Sequence, residues 1–335
     1  MGPSVLVYFI FTTLFSVSLG VVLAMIFKPG LQLSQSLPGE NPGLSLDQNQ
    51  AFDTVNIPKI ISNLLPENPL ASMVTGEMMS IVVFSIIVGI AIIGLSQKNK
   101  TPIISLLSSV QEICMIIVKW AMKLVPIAVF GLIAQLTASV GFNSIISISY
   151  YILVVLIGLV TLLVLYLLIV QFFGGGNSFK FLRNIRDAQL LAFSTTSSAA
   201  VMPLSMKTAE EKLNVHPSIS NFMIPVGATI NMHGTAIYQC ISTIFIAQAY
   251  GIELSIMNLV LITFTLVTAS IGTPAIPGGG AIVLASVLGS VGIPTEGLIL
   301  IIGVERILGM FRTAVNVTGD LTACMFFNQQ LKKPS

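Results

Sequence analysis

Five residues near the C-terminus have the types and spacing to bind charged ligands. Within LILIIGVERILGMFRTAVNVTGDLTACMFF, residues 298–327, Glu305, Gly309, Arg312, Asn316 and Asp320 recur at steps of three or four, so a helix carries them on one stripe. The rest of the segment is apolar enough for lipid, yet an ionised Arg or Asp near a bilayer centre costs ~2.5–3.5 kcal/mol on insertion scales. That stripe therefore faces protein or a watery cavity, and the helix lines a site. Arg312 offers a planar fork of donors that matches a carboxylate. Asn316 and Asp320 offer oxygens, which suit a hard cation such as sodium.

The composition says what kind of protein must position these groups. Apolar residues make up 54% of the 335 and charged residues 8%, with a mean hydropathy of +0.95. This indicates an all-α polytopic membrane protein embedded in a lipid bilayer. The net charge of +2 is small and scattered, which argues against a nucleic-acid partner. Cys114, Cys240 and Cys324 lie in apolar segments without pairing or ligand spacing and read as small core residues. The two histidines and few intramembrane acids form no metal spacing and no set of nucleophile, base and orienting group, so an enzyme is not expected. Val5 to Phe27 follows no basic region, precedes no small-residue cleavage site and is too long for a signal core, so it reads as a membrane helix.

Lys28 to Asp53, rich in Pro, Gly, Ser, Gln and Asn, reads as a loop outside the bilayer. Thr54 to Leu65 reads as an amphipathic interfacial segment. Met73 to Leu95 spans, SQKNKTP is a basic turn, and Leu106 to Leu136 is a long helix carrying Lys119 and Lys123. Ser144 to Phe173 spans again and stops at Gly174 to Gly176, and NSFKFLRNIRDAQ is expected as a basic loop.

Two similar units follow. Leu190 to Thr208 is interrupted by STTSSAAVMP, and the helix after it, Ser218 to Tyr250, by NMHGT. Val260 to Leu288 is interrupted by GTPAIPGGG, and the helix after it carries Arg312 and NVTGD. This repeated pattern predicts two re-entrant helical hairpins and discontinuous helices in an inverted repeat. Freed backbone at such tips must be buried in protein or line water, and the helix ends offer NH groups to anions and carbonyls to cations. The competing reading is that Gly, Ser and Pro serve close helix packing. Lys98, Lys100, Lys180, Arg183, Arg186, Lys207, Lys212, Lys332 and Lys333 fall on one side if the spans alternate, opposite Glu40, Asp47, Glu253 and Glu296. That bias predicts a cytoplasmic C-terminus.

The two tips, NMHGTAIYQ and RTAVNVTGDLT closely resemble the dicarboxylate/amino acid:cation symporter family, which includes archaeal aspartate transporters and excitatory amino acid transporters. The resemblance runs from Tyr8 onward and begins at the family's third helix. The two preceding helices contribute to its trimeric scaffold, so a homotrimer is expected where they are present natively, and the sequence reads as a fragment of a longer chain. The resemblance implies residues 1–27 as a first membrane helix, 28–53 as an external loop and 54–172 as scaffold-type helices. It implies 173–335 as a transport core with hairpins at about 190–212 and 260–290. Arg312 then binds a substrate carboxylate with Thr235 and Thr313. Asn316 and the tip backbone near Ser198 and from Ile276 to Gly280 bind the other. The resemblance also implies one cation site of Asp320, Asn316 and carbonyls near Gly227 and Asn231, and a second of carbonyls at Thr229, Ser270, Ile271 and Thr273.

Two departures from the family carry weight. Its amino-acid transporters have an Asp one turn before the arginine to pair the substrate ammonium, and here that position is Gly309. A substrate without an ammonium, such as a C4-dicarboxylate, is therefore expected to bind better than aspartate. The family's NMDGT is here NMHGT, and a tyrosine of its third sodium site is here Phe9, while Thr12, Thr13 and Asn231 remain. His233 is either a neutral group bonded within a polar core or a participant in proton coupling. The expected protein is a symporter in the bacterial inner (plasma) membrane, coupling sodium ions, protons or both to uptake of a small anionic dicarboxylate by an elevator-type mechanism. The alternatives are a sodium-coupled acidic or neutral amino acid symporter and a non-transporting homologue or regulatory partner.

Overall fold

The computed structural model describes residues 2–34, 68–75, 78–140, 143–271, 273 and 275–332. The interfacial segment expected at 54–65, most of the 28–53 loop, Gly272, Pro274 and Lys333 lie outside these. Among the described residues every regular element is helical, as an all-helical membrane protein requires.

The described parts of residues 1–44 and 136–335 form one compact unit. It begins with α1 (Gly2–Phe27) and the short α2 (Leu31–Ser34). Residues 45–135 belong to a second unit, which holds α3 (Pro69–Thr75), α4 (Met78–Ile93) and most of α5 (Gln97–Val140). The expected basic turn before α5 is partly helical, since the Lys100 amide already bonds the Ser96 carbonyl at 2.9 Å. In the first unit α6 (Asn143–Phe172) follows. Among the described residues Ser4–Phe27 and Ile146–Phe172 are long and apolar enough to cross a bilayer. Their outward residues, Val7, Phe11 and Ile26 on α1 and Leu153, Val160 and Leu168 on α6, are exposed and suit lipid.

After α6, Gly175 turns the chain at φ 66°, the conformation that glycine adopts without cost. The basic stretch expected as a loop instead opens α7 (Ser178–Thr195). Asn177 caps it by accepting from the Phe179 and Lys180 amides at 2.9 and 3.1 Å. Phe181, Ile185, Ala188 and Ala192 recur at steps of three and four and bury one stripe, a helical period that the basic residues of the other face mask. Thr196, at φ 52°, ends α7, and Ser197 starts α8 (Ser198–Lys207), which runs into a π-helical turn, Thr208–Lys212. Next come α9 (Pro217–Ile230) and α10 (His233–Ala249), separated by Asn231 and Met232. Then come α11 (Ile256–Ile271) and α12 (Gly279–Ser290), with Gly278 at φ 79° before α12. A 3-10 turn, Thr295–Leu298, leads into α13 (Ile299–Lys332).

Two helices form the centre of this unit. α10 is buried along its length apart from Gln248. α13 touches α6, α7, α9 and α10. α1 lies along α10, and its last turns and the α1–α2 turn are each tied to it: Gln248 donates to the Ala24 carbonyl at 3.2 Å and accepts from the Gly30 amide at 2.9 Å. A Cβ at Gly30 would lie 2.3 Å from the Phe245 carbonyl oxygen and 2.6 Å from Gln248 Cβ. Gly30→Ala must push α1 off α10, and such overpacking costs ~1–3 kcal/mol. Its melting temperature in detergent should fall by several degrees; an unchanged value would show that this approach relaxes freely.

Candidate functional site

The polar stripe of α13 faces the broken ends of the other helices. Arg312 is 5% exposed, and its Nη2 donates to Glu305 Oε1 at 2.5 Å, two turns earlier on the same helix. Its guanidinium carbon lies 3.9 Å from the centroid of the Tyr238 ring on α10, a cation–π contact. A Cβ at Gly280, the second residue of α12, would sit 2.8 Å from Nη1, so glycine there lets the helix start lie against the cation. Arg312 Nε and Nη1 are buried and have no partner within the protein. Each is a charged donor free for a carboxylate oxygen, on either side of the Nη2 that Glu305 holds.

The turn between α7 and α8 approaches this group through Thr196. Arg306 Nη1 donates to Thr196 Oγ1 at 3.2 Å. Ser197 Oγ donates to the Ala275 carbonyl at 2.7 Å, so the α7–α8 turn touches the α11–α12 turn, and Ser198 is buried next to it. On α10, Gln239 Nε2 donates to the Gly280 carbonyl at 3.1 Å while its Oε1 is buried without a partner. Thr313 is buried, but its hydroxyl donates to the Gly309 carbonyl at 2.8 Å.

One turn further along, Asn316 bridges α13 to the start of α10. Its Oδ1 accepts from the Gly234 amide at 2.8 Å, and its Nδ2 donates to Thr235 Oγ1 at 3.1 Å. Asp320 is 2% exposed, and its Oδ1 accepts from Asn231 Nδ2 at 2.7 Å. Asn231 Oδ1 is buried without a partner. A Cβ at Gly227 would lie 2.5 Å from Asp320 Oδ1, so the last turn of α9 lies directly on the carboxylate. Among the described residues no three His, Cys, Asp or Glu side chains converge as a metal cluster. A carboxylate, an amide oxygen and the carbonyl end of a helix suit a hard monovalent cation. The residues of the second expected cation site are spread over two touching helices. Thr229 is exposed on α9, and Ser270 and Ile271 end α11 with Thr273 just after. The Thr273 amide bonds the Ser270 carbonyl at 3.3 Å, and Ser270 Oγ is buried without a partner.

His233, the first residue of α10, is 1% exposed and lies between two hydroxyls: Nε2 is 2.8 Å from Thr12 Oγ1 and Nδ1 is 2.7 Å from the phenolic oxygen of Tyr166. The Thr12 hydroxyl donates to the Tyr8 carbonyl at 2.7 Å, so it accepts from Nε2–H, and Nδ1 in turn accepts from Tyr166. That assignment satisfies both nitrogens of a neutral ring.

A match to the sodium:dicarboxylate symporter family extends over residues 1–330. The chain belongs to that family. It is similar to the proton/glutamate-aspartate symporter of Escherichia coli, 35% identical over 97% of this chain and 75% of the relative. It is similar to the proton/sodium-glutamate symport protein of Bacillus subtilis, 32% identical over 98% and 76%. The mouse neutral amino acid transporter B(0) is 31% identical over 96% of this chain and 66% of its own length. This member of the symporter family is thus a cation-coupled membrane transporter and not an enzyme. In the symporter, sequence reasoning located Arg312, Asn316 and Asp320 on one face, together with Thr235, Asn231 and Gly227 opposite them. It missed Tyr238 and Gln239 as neighbours of Arg312 and Gly280. Their signal was the spacing from Thr235: three and four residues on, they share its helical face.

Proposed function

We propose that this symporter carries an acidic amino acid, with sodium, protons or both as coupling ions. The observation that carries this reading is the environment of Arg312: two unpartnered buried donors for a carboxylate, with the Glu305 carboxylate at the third. A zwitterionic substrate with a second carboxylate complements both signs. The names of the relatives agree, since the two bacterial proteins are glutamate or glutamate-aspartate symporters. They favour an amino acid over the plain dicarboxylate expected from Gly309, and Glu305 supplies the physical reason, because an acid does stand near that position.

In this reading α7–α8 and α11–α12 are re-entrant hairpins of an inverted repeat, and their contact at Ser197 and Ala275 closes the site. Substrate lies between the tips, Arg312 and Thr235, and sodium lies at Asp320 with Asn231, Asn316 and the Gly227 turn. Residues 173–335 act as the moving part of an elevator-type cycle in the plasma membrane. The test is sodium-dependent binding to the purified protein of aspartate, glutamate, alanine and succinate. Aspartate or glutamate should bind tightest; tighter alanine would make the substrate neutral, and tighter succinate would restore the dicarboxylate.

His233 is assigned to structure in this scheme. His233→Leu leaves the buried Tyr166 hydroxyl without its acceptor, a loss of ~1–3 kcal/mol. The expected outcome is a lower melting temperature with an unchanged dependence of uptake on the proton gradient. Loss of that dependence in a folded variant would make the imidazole a proton carrier.

A further inference from the structure

We infer that Glu305 is the counter-charge for the substrate's α-ammonium. The inference rests on the amino-acid reading above and assigns its specificity to one side chain. Glu305 is 9% exposed and its carboxylate is held by Arg312 Nη2. Gly309 lies between them on the helix face. A Cβ built there would be 3.4 Å from Arg312 Nη2, 4.0 Å from Glu305 Oε1 and 4.0 Å from Thr196 Cγ2 at the first hairpin's break. Position 309 therefore points into the place where the cation, the acid and the hairpin meet. Lacking a side chain, it leaves that volume to a ligand while the acid reaches in from one turn away.

Charge balance then sets the preference. A substrate carboxylate on the free donors of Arg312 brings a second negative charge to the one guanidinium that balances Glu305, and buried negative charge in excess is strongly unfavourable unless a cation or a proton joins it. The ammonium of an amino acid is that cation, carried on the same molecule a few ångströms from the carboxylate. A dicarboxylate brings none and adds negative charge beside Glu305. Arg306, the other nearby cation of α13, is engaged at Thr196.

Aspartate and succinate differ only by the ammonium group, so their affinity ratio reads the role of Glu305 separately from its part in folding. Competition binding at fixed sodium should show that wild type prefers aspartate. In Glu305→Gln the aspartate-to-succinate preference should fall by about ten- to a hundred-fold, the range of one charge-assisted bond. The double variant Glu305→Gln with Gly309→Asp keeps an acid beside the guanidinium and should recover the preference. An unchanged ratio in Glu305→Gln, or no recovery in the double variant, overturns the inference while leaving an amino-acid symporter. A wild type that prefers succinate overturns both.

Discussion

Arg312→Ala is expected to abolish measurable substrate binding. The guanidinium carries two buried donors with no acceptor in the protein and stacks on Tyr238. Hydrogen bonds to charged groups contribute ~1.5–3 kcal/mol each, so losing two weakens binding by at least ~100-fold. The same substitution strands Glu305, and removing one partner of a buried pair destabilises by ~3–5 kcal/mol. The two effects separate in the double variant Arg312→Ala with Glu305→Gln, which should regain thermal stability without regaining affinity. Near-normal affinity in the single variant would remove the carboxylate-binding role from Arg312.

The second large effect is expected at Asp320. Its carboxylate is buried, bonded to Asn231, and takes no part in the ion pairs found among the described residues. A buried carboxylate without a counter-charge is costly, and a cation among oxygen donors relieves that cost. Asp320→Asn keeps the shape, removes the charge, and should raise the sodium concentration for half-saturation by at least ~10-fold, as expected from the loss of one charged ligand. The variant should also be no less heat-stable than wild type when sodium is left out. An unchanged sodium titration would exclude Asp320 as the cation ligand.

The features legible in the sequence were those that a helix repeats locally. The 305–320 stripe, the broken tips and the NMHGT interruption all announce themselves within a few turns, because polar residues in an apolar run need partners. Long-range partners left no such trace. His233 meets Thr12 and Tyr166, which lie 221 and 67 residues away, and no local period encodes either meeting. The first half of α7 was misread for a different reason: four charged residues hide an apolar stripe that only the positions of Phe181, Ile185, Ala188 and Ala192 reveal. At Gly309 a single position suggested the absence of an acid. The folded helix brings the carboxylate of Glu305 close to the same place, because i and i+4 share a face.

Arg312 and Asp320 sit on one uninterrupted helix, which fixes their axial separation at ~12 Å for a rise of ~1.5 Å per residue. Opposite unit charges that far apart at an effective dielectric of ~20 attract by ~1.4 kcal/mol. A sodium ion at Asp320 and an anion at Arg312 should thus tighten each other's binding about tenfold through the field alone. Linkage makes the gain reciprocal, the same factor for ion and substrate. Any cooperativity well beyond tenfold must then come from movement of the α7–α8 and α11–α12 turns or from Asn316, the side chain between the two charges.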